Sequence, residues 1–145
     1  MYEVGLLRSN VETTVGVSPD AVCSFYLPTG ASIRGCVEIK TRVAENTINT
    51  ALEAARKYGR VVHCLYNDET FRGCVPAQNR AQIVHQAYVT GFHHGIFVTA
   101  MVDEAEGSIV QIVIVTFMEE DIIEHGRVLI SITRPFIGWM YTEEA

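Results

Sequence analysis

Asp20, Glu38 and Lys40 are the residues of this chain whose types and spacing could do chemistry together. Glu38 and Lys40 stand two apart in Gly35-Cys36-Val37-Glu38-Ile39-Lys40-Thr41. Side chains alternate across an extended strand, so these two project to one face while Val37 and Ile39 project to the other. A charged pair on an otherwise apolar strand is costly to bury unless solvent, or a partner such as a metal ion, receives it. Asp20 follows Ser18-Pro19, and if the two segments pair as a hairpin it comes close to Glu38. Two converging carboxylates are the usual protein ligands of Mg²⁺ (or Mn²⁺), which prefers oxygen and keeps several waters. Such a cation polarises a phosphate ester and lowers the pKa of a bound water. Lys40 would then position the nucleophile or neutralise developing negative charge, and the carbonyl of Ile39 could complete the metal shell.

Those side chains need a scaffold. Val4 to Val22 reads as two short strands around the turn-prone Ser9 and Asn10, and Ile33 to Thr41 as a third, with Pro28-Thr29-Gly30 supplying the turn of an antiparallel hairpin. Ala44 to Tyr58 carries a helical stripe through Ile48, Leu52 and Ala55 that ends at Gly59. Arg60 to Pro76 is ambiguous: Val61 to Tyr66 could be a strand, and Asn67 to Thr70 looks like a turn. Ala77 to Thr90 is predicted as a helix, with Gly91 placed to stop it. Gly95 to Val102 and Ile109 to Phe117 look like buried strands joined through an acidic turn at Asp103 to Gly107. A last amphipathic piece starts near Glu119, and beyond Gly126 the pattern does not choose between helix and strand. The order implies one domain, residues 1–145, of α/β class with a mixed β-sheet flanked by helices.

Composition narrows the partners. A net charge of −6 excludes a generally basic coat for nucleic acid, but not a metal-dependent enzyme, whose site needs carboxylates. Cys23, Cys36, Cys64 and Cys74 show no Cys-x-x-Cys spacing and read as reduced thiols. No secretory signal is visible at Met1 to Asn10. Val128 to Tyr141 is broken by Arg134 and Pro135 and is too short for a bilayer, so a soluble intracellular protein, cytoplasmic or nuclear, is expected. Adjacent His93 and His94 would point to opposite faces of a strand and cannot easily share an ion. Asp103, Glu104 and Glu106 lack EF-hand spacing. Arg72 and Arg80 are weak candidates for phosphate contact, and Trp139 and Tyr141 for other contacts, with ordinary packing the better reading of the last two.

Asp followed by Glu-x-Lys on an apolar strand resembles the motif of the PD-(D/E)xK nuclease superfamily. Ser18-Pro19-Asp20, with Cys23-Ser24 behind it, resembles its lambda exonuclease and YqaJ-type recombinase branch. The segment Pro76-Ala77-Gln78-Asn79-Arg80-Ala81-Gln82-Ile83-Val84-His85-Gln86-Ala87-Tyr88-Val89-Thr90 is similar to the helix that follows the active-site strand there. The likeness runs in order from about Val15 to Phe117, with three short blocks carrying it. It implies a restriction-endonuclease-like core and an exonuclease-like deoxyribonuclease of recombination or repair type. Asp20, Glu38 and Ile39 would be the metal ligands, Lys40 the catalytic cation and Gln82 the active-site glutamine. It also implies DNA as partner and a possible homo-oligomer, since relatives form rings around DNA. Ala21 stands where the family commonly has glycine, and Gln86 where many relatives place an aromatic residue. The family's preceding helix, with one further glutamate, is expected to be missing, and Glu3 or Glu12 could replace that carboxylate only by an unobvious route. A truncated, inactive nuclease-fold module used for binding is the alternative.

Overall fold

The computed structural model describes residues 7–8, 16–26, 28–102 and 107–144, and for 8, 16, 17, 102, 107 and 133–144 the backbone alone. The predicted hairpin is present and forms one edge of the main sheet. Strand β3 (Ala21–Tyr26) pairs antiparallel with the long β4 (Ser32–Arg42) from Ala21 opposite Val37 to Tyr26 opposite Ser32. The turn between them ends on Gly30 at φ +87°, a left-handed conformation that glycine adopts without a Cβ penalty. Before the hairpin, β1 (Leu7–Arg8) and β2 (Gly16–Val17) form a separate two-stranded ladder. The expected turn at Ser9 and Asn10 lies outside the described residues, as does the acidic turn at 103–106.

Beyond β4 the chain alternates. Helix α1 (Glu45–Tyr58) ends at Gly59 with φ +104° and carries Glu45 in its first turn and Arg56 and Lys57 in its last, charges that suit the helix dipole. Then come β5 (Val61–Leu65), α2 (Glu69–Cys74), α3 (Ala77–Thr90), β6 (His94–Val102), β7 (Gly107–Thr116) and α4 (Glu119–Glu144). Asn67 to Thr70 is only partly the turn that the sequence suggests. Asp68 accepts hydrogen bonds from Phe71 N at 2.7 Å and Leu65 N at 3.2 Å, capping the N-terminus of α2, so that Glu69 and Thr70 of the expected turn begin the helix. Beyond Gly126 the backbone is helical through Glu144, so the undecided tail is helix. The side chains of Trp139 and Tyr141 lie outside the described residues.

The main sheet has the order β3-β4-β6-β7-β5, with β4 parallel to β6, β5 parallel to β7 and the other pairs antiparallel. It is a mixed five-stranded sheet flanked by helices, consistent with a restriction-endonuclease-like core. Residues paired across strands share a face. Glu38 is level with Phe97, and Phe97 with Val113. That face meets α2 and α3 in the main core of Phe71, Ile83, Val84, Ala87, Phe97, Val113 and Val115. The other face carries the smaller cluster Ala21, Val37, Ile96 and Ile114, edged by the exposed Ile39, Val61 and Leu65. Helix α4 packs on α3, where His85 Nδ1 lies 3.0 Å from His125 Nε2. Among the described residues no helix is long and apolar enough to cross a membrane.

Candidate metal and phosphate site

Glu38 is a carboxylate placed in a core. Its partners across β4 and β6 are apolar, and it is only 3% exposed. Ala21 opposite Val37 puts Asp20 opposite Glu38, just past the end of β3. The chain stays close there, with Asp20 N donating to Val37 O at 3.1 Å and Ile39 N donating to Asp20 Oδ2 at 2.7 Å. Lys40 Nζ lies 3.7 Å from Glu38 Oε2. The structure therefore brings Asp20, Glu38 and Lys40 to one place, with Asp20 exposed and Lys40 half-buried.

Gln82 is not the glutamine on the carboxylate. Gln86, 2% exposed, donates its side-chain amide to Glu38 Oε1 at 2.5 Å. Next along the helix, Thr90 hydrogen-bonds the thiol of Cys36. As α3 advances from 86 to 90, β4 retreats from 38 to 36, so the two run antiparallel. Four helix residues rise about 6.0 Å and two strand residues about 6.6 Å, which places Gln82 at the level of Lys40 and Gln78 at the level of Arg42. Gln82 is half-buried one turn along the row. A signal for Gln86 was present in the sequence: it shares the apolar stripe with Ile83 and Ala87, where a polar residue needs a buried partner.

Electrostatically, burial pushes the Glu38 carboxyl above its usual range, and the neighbouring Asp20 carboxylate pushes it further, while the Gln86 amide and Lys40 pull it back. Two carboxylates held together with one lysine leave net negative charge in a partly dry place. Such a site is relieved by a proton or by a cation. The Ile39 N–H points toward the β3 side, and in an extended strand its carbonyl points the same way. Pro19, next in line past the ladder's end, has no N–H to offer it. Among the described residues the carbonyl therefore has no strand partner on that side. Two carboxylates and one carbonyl, completed by water, fit a hard divalent cation such as Mg²⁺. Among the described residues no group of three His, Cys, Asp or Glu side chains converges on one point. Glu3 and Glu12, the only acidic residues ahead of Asp20 in the sequence, lie outside the described residues.

Other candidates take structural places. Arg80 donates to Val75 O at 2.9 Å and Arg72 O at 2.8 Å, closing the end of α2. His93 is exposed, and His94 on β6 is half-buried with its pKa lowered chiefly by burial. All four cysteines are free, and burial pushes the thiols of Cys36 and Cys64 up to about 11 and about 12, leaving them protonated and unreactive at neutral pH. Comparison of the chain with family models, with curated proteins and with solved structures returned no match.

Proposed function

We propose that this chain is a DNA nuclease that hydrolyses phosphodiester bonds with Mg²⁺ or Mn²⁺, in an exonuclease-like manner suited to recombination or repair. The observation that carries the proposal is the convergence of Asp20 and Glu38 at the end of β3, with Lys40 beside them. When bound there, the cation would act as a Lewis acid on the phosphate and lower the pKa of a coordinated water. Asp20, Glu38 and the Ile39 carbonyl would hold it. Lys40, half-buried with its ammonium against Glu38, would orient the nucleophile or offset charge at the phosphate. Gln86 keeps Glu38 aimed by fixing one carboxylate oxygen, and Gln82 is placed to steady Lys40 or to touch the nucleic-acid strand.

The test is a calorimetric Mn²⁺ titration of the chain and of Glu38→Ala, both checked for folding, followed by digestion of linear DNA. Binding and digestion by the parent chain, both lost in a folded Glu38→Ala protein, are expected. Digestion by that variant rules the proposal out. A second reading, a nuclease-fold module that binds without cleaving, is favoured by one feature: both oxygens of Glu38 already meet donors of the chain itself. A folded parent chain that binds no Mn²⁺ and cleaves no DNA decides for it.

A further inference from the structure

We propose that Arg42 anchors a phosphate-binding subsite in the cleft between α1, α2 and the start of α3, one strand step beyond Lys40. The cleft has a volume of about 280 Å³, and Arg42, Arg72, Gln78 and Gln111 are among its lining residues. Three observations point to an anion. Arg42 Nη2 is buried without a hydrogen-bond partner, and among the described residues Arg42 makes no ion pair. A cationic donor withdrawn from water and left unpaired is a standing cost that a bound oxyanion removes. Among the described residues no Asp or Glu lines the cleft, and its one thiol there, Cys74, is held protonated by burial. Third, α3 begins at its wall: Pro76 and Gln78 line it, no side chain caps that N-terminus, and its first turn has no acidic residue. Asn79 N already donates to Pro76 O, but the uncapped N–H groups of Ala77 and Gln78 and the dipole of a 14-residue helix add positive potential on the same side.

The lining side-chain donors with no other partner among the described residues are those of Arg42, Arg72, Gln78 and the Thr99 hydroxyl. Thr47 and Thr50 give their hydroxyl protons to Ala44 O and Asn46 O, and Gln111 gives its amide to Gly59 O and Cys74 Sγ. Two guanidinium groups and one amide suit phosphate oxygens, which take forked donors better than point charges. Arg42 follows Lys40 on the same face at about 6.6 Å, comparable with the separation of neighbouring phosphates on an extended strand. The phosphate therefore has two sources: a nucleic-acid strand crossing the carboxylate site, an assignment that rests on the nuclease reading, or a free phosphate compound, which does not.

The experiment is an NMR titration of the whole ¹⁵N-labelled chain with inorganic phosphate at constant ionic strength, in a metal chelator. Saturable shifts at Arg42, Arg72 and Gln78 are expected. Arg42→Lys keeps the charge but removes the fork, so the dissociation constant should rise by about tenfold or more, while Arg127→Gln on α4 stays within about twofold. No saturable shifts at these residues, or undiminished binding by folded Arg42→Lys and Arg42→Gln, overturns the subsite. Competition assigns the source. Displacement of phosphate by an oligonucleotide with no terminal phosphate identifies an internal strand phosphate, displacement only by its 5′-phosphorylated form a strand end, and displacement by neither a free phosphate compound. Glu38→Ala should retain phosphate binding, and a folded parent chain that binds phosphate but no Mn²⁺ defeats the nuclease reading while leaving the subsite standing.

Discussion

Replacing Gln86 with leucine isolates the interaction that fixes Glu38. Leucine has nearly the volume of glutamine and good helix propensity, so α3 should form normally and the main loss is the amide donated to Glu38 Oε1. A hydrogen bond to an ionised group contributes about 1.5–3 kcal/mol, and one between neutral groups about 0.5–1.5 kcal/mol. The apolar gain from burying leucine is the same at every pH. Its size therefore cancels when the variant's cost is compared between a pH where Glu38 is ionised and one where it is protonated. Because the Glu38 carboxyl titrates above its usual range, the folded state binds its proton more tightly than the unfolded chain does. Its ionisation therefore destabilises the fold as pH rises through that raised value. Without Gln86 the shift grows. The cost of Gln86→Leu, from urea denaturation in a metal chelator, should be about 1–2 kcal/mol greater at pH 7.5 than near pH 4.5. Gln82→Leu, one turn away, should show no such pH dependence. Equal costs for Gln86→Leu at the two pH values, or the same slope for Gln82→Leu, would refute the assignment of Gln86 as the residue that holds the carboxylate.

Other perturbations follow from the same geometry. Glu38→Gln removes a buried charge beside Asp20, so the metal-free variant should be more stable than the parent at neutral pH. The difference should fade as pH falls toward the ordinary carboxyl range, measured by paired denaturant titrations. Gly35→Ala would put a Cβ 2.7 Å from the carbonyl oxygen of His94 on the adjacent strand, which cannot yield without disturbing the β4–β6 ladder. A loss of about 1–3 kcal/mol in chemical denaturation is expected. His125 has its pKa lowered, first by burial and then by His85, so the unfolded chain takes up the proton first on acidification. The fold should weaken as pH falls through 6.5, and His125→Gln should flatten that limb of the stability profile. A limb unchanged in the variant would show that other groups set it.

What the sequence disclosed follows from how local each signal was. Strand alternation alone put Glu38 and Lys40 on one face, and the Pro28-Thr29-Gly30 turn alone set the hairpin that brings Asp20 to them. Helices α1 and α3 were legible because glycines at 59 and 91 stop them in a left-handed backbone that other residues resist. Helix α2 was missed because six residues containing a glycine carry too little periodicity, although Asp68 three places before Phe71 was an available capping signal. The tail was ambiguous because Val128, Ile130 and Ile132 suit strands by propensity, while the helix from Glu119 carries its backbone on. Between Gln82 and Gln86 the apolar stripe through Ile83 and Ala87 was the one local hint, favouring Gln86 without naming its partner. The two glutamines lie one turn apart on the same helix face, and only the placement of α3 along β4 decides which meets Glu38.

That placement works like a vernier, two scales of almost equal spacing laid side by side. The helix advances about 6.0 Å for every four residues and the strand about 6.6 Å for every two, so the marks coincide best at one division and drift apart on either side. Glu38 and Gln86 are that division. Moving toward Lys40 and Arg42 the offset accumulates, and the two cations fall progressively out of step with Gln82 and Gln78. A scale set this way tolerates one tight reading and leaves slack at the next marks, so the same packing that immobilises the carboxylate gives the cationic side chains beyond it more latitude.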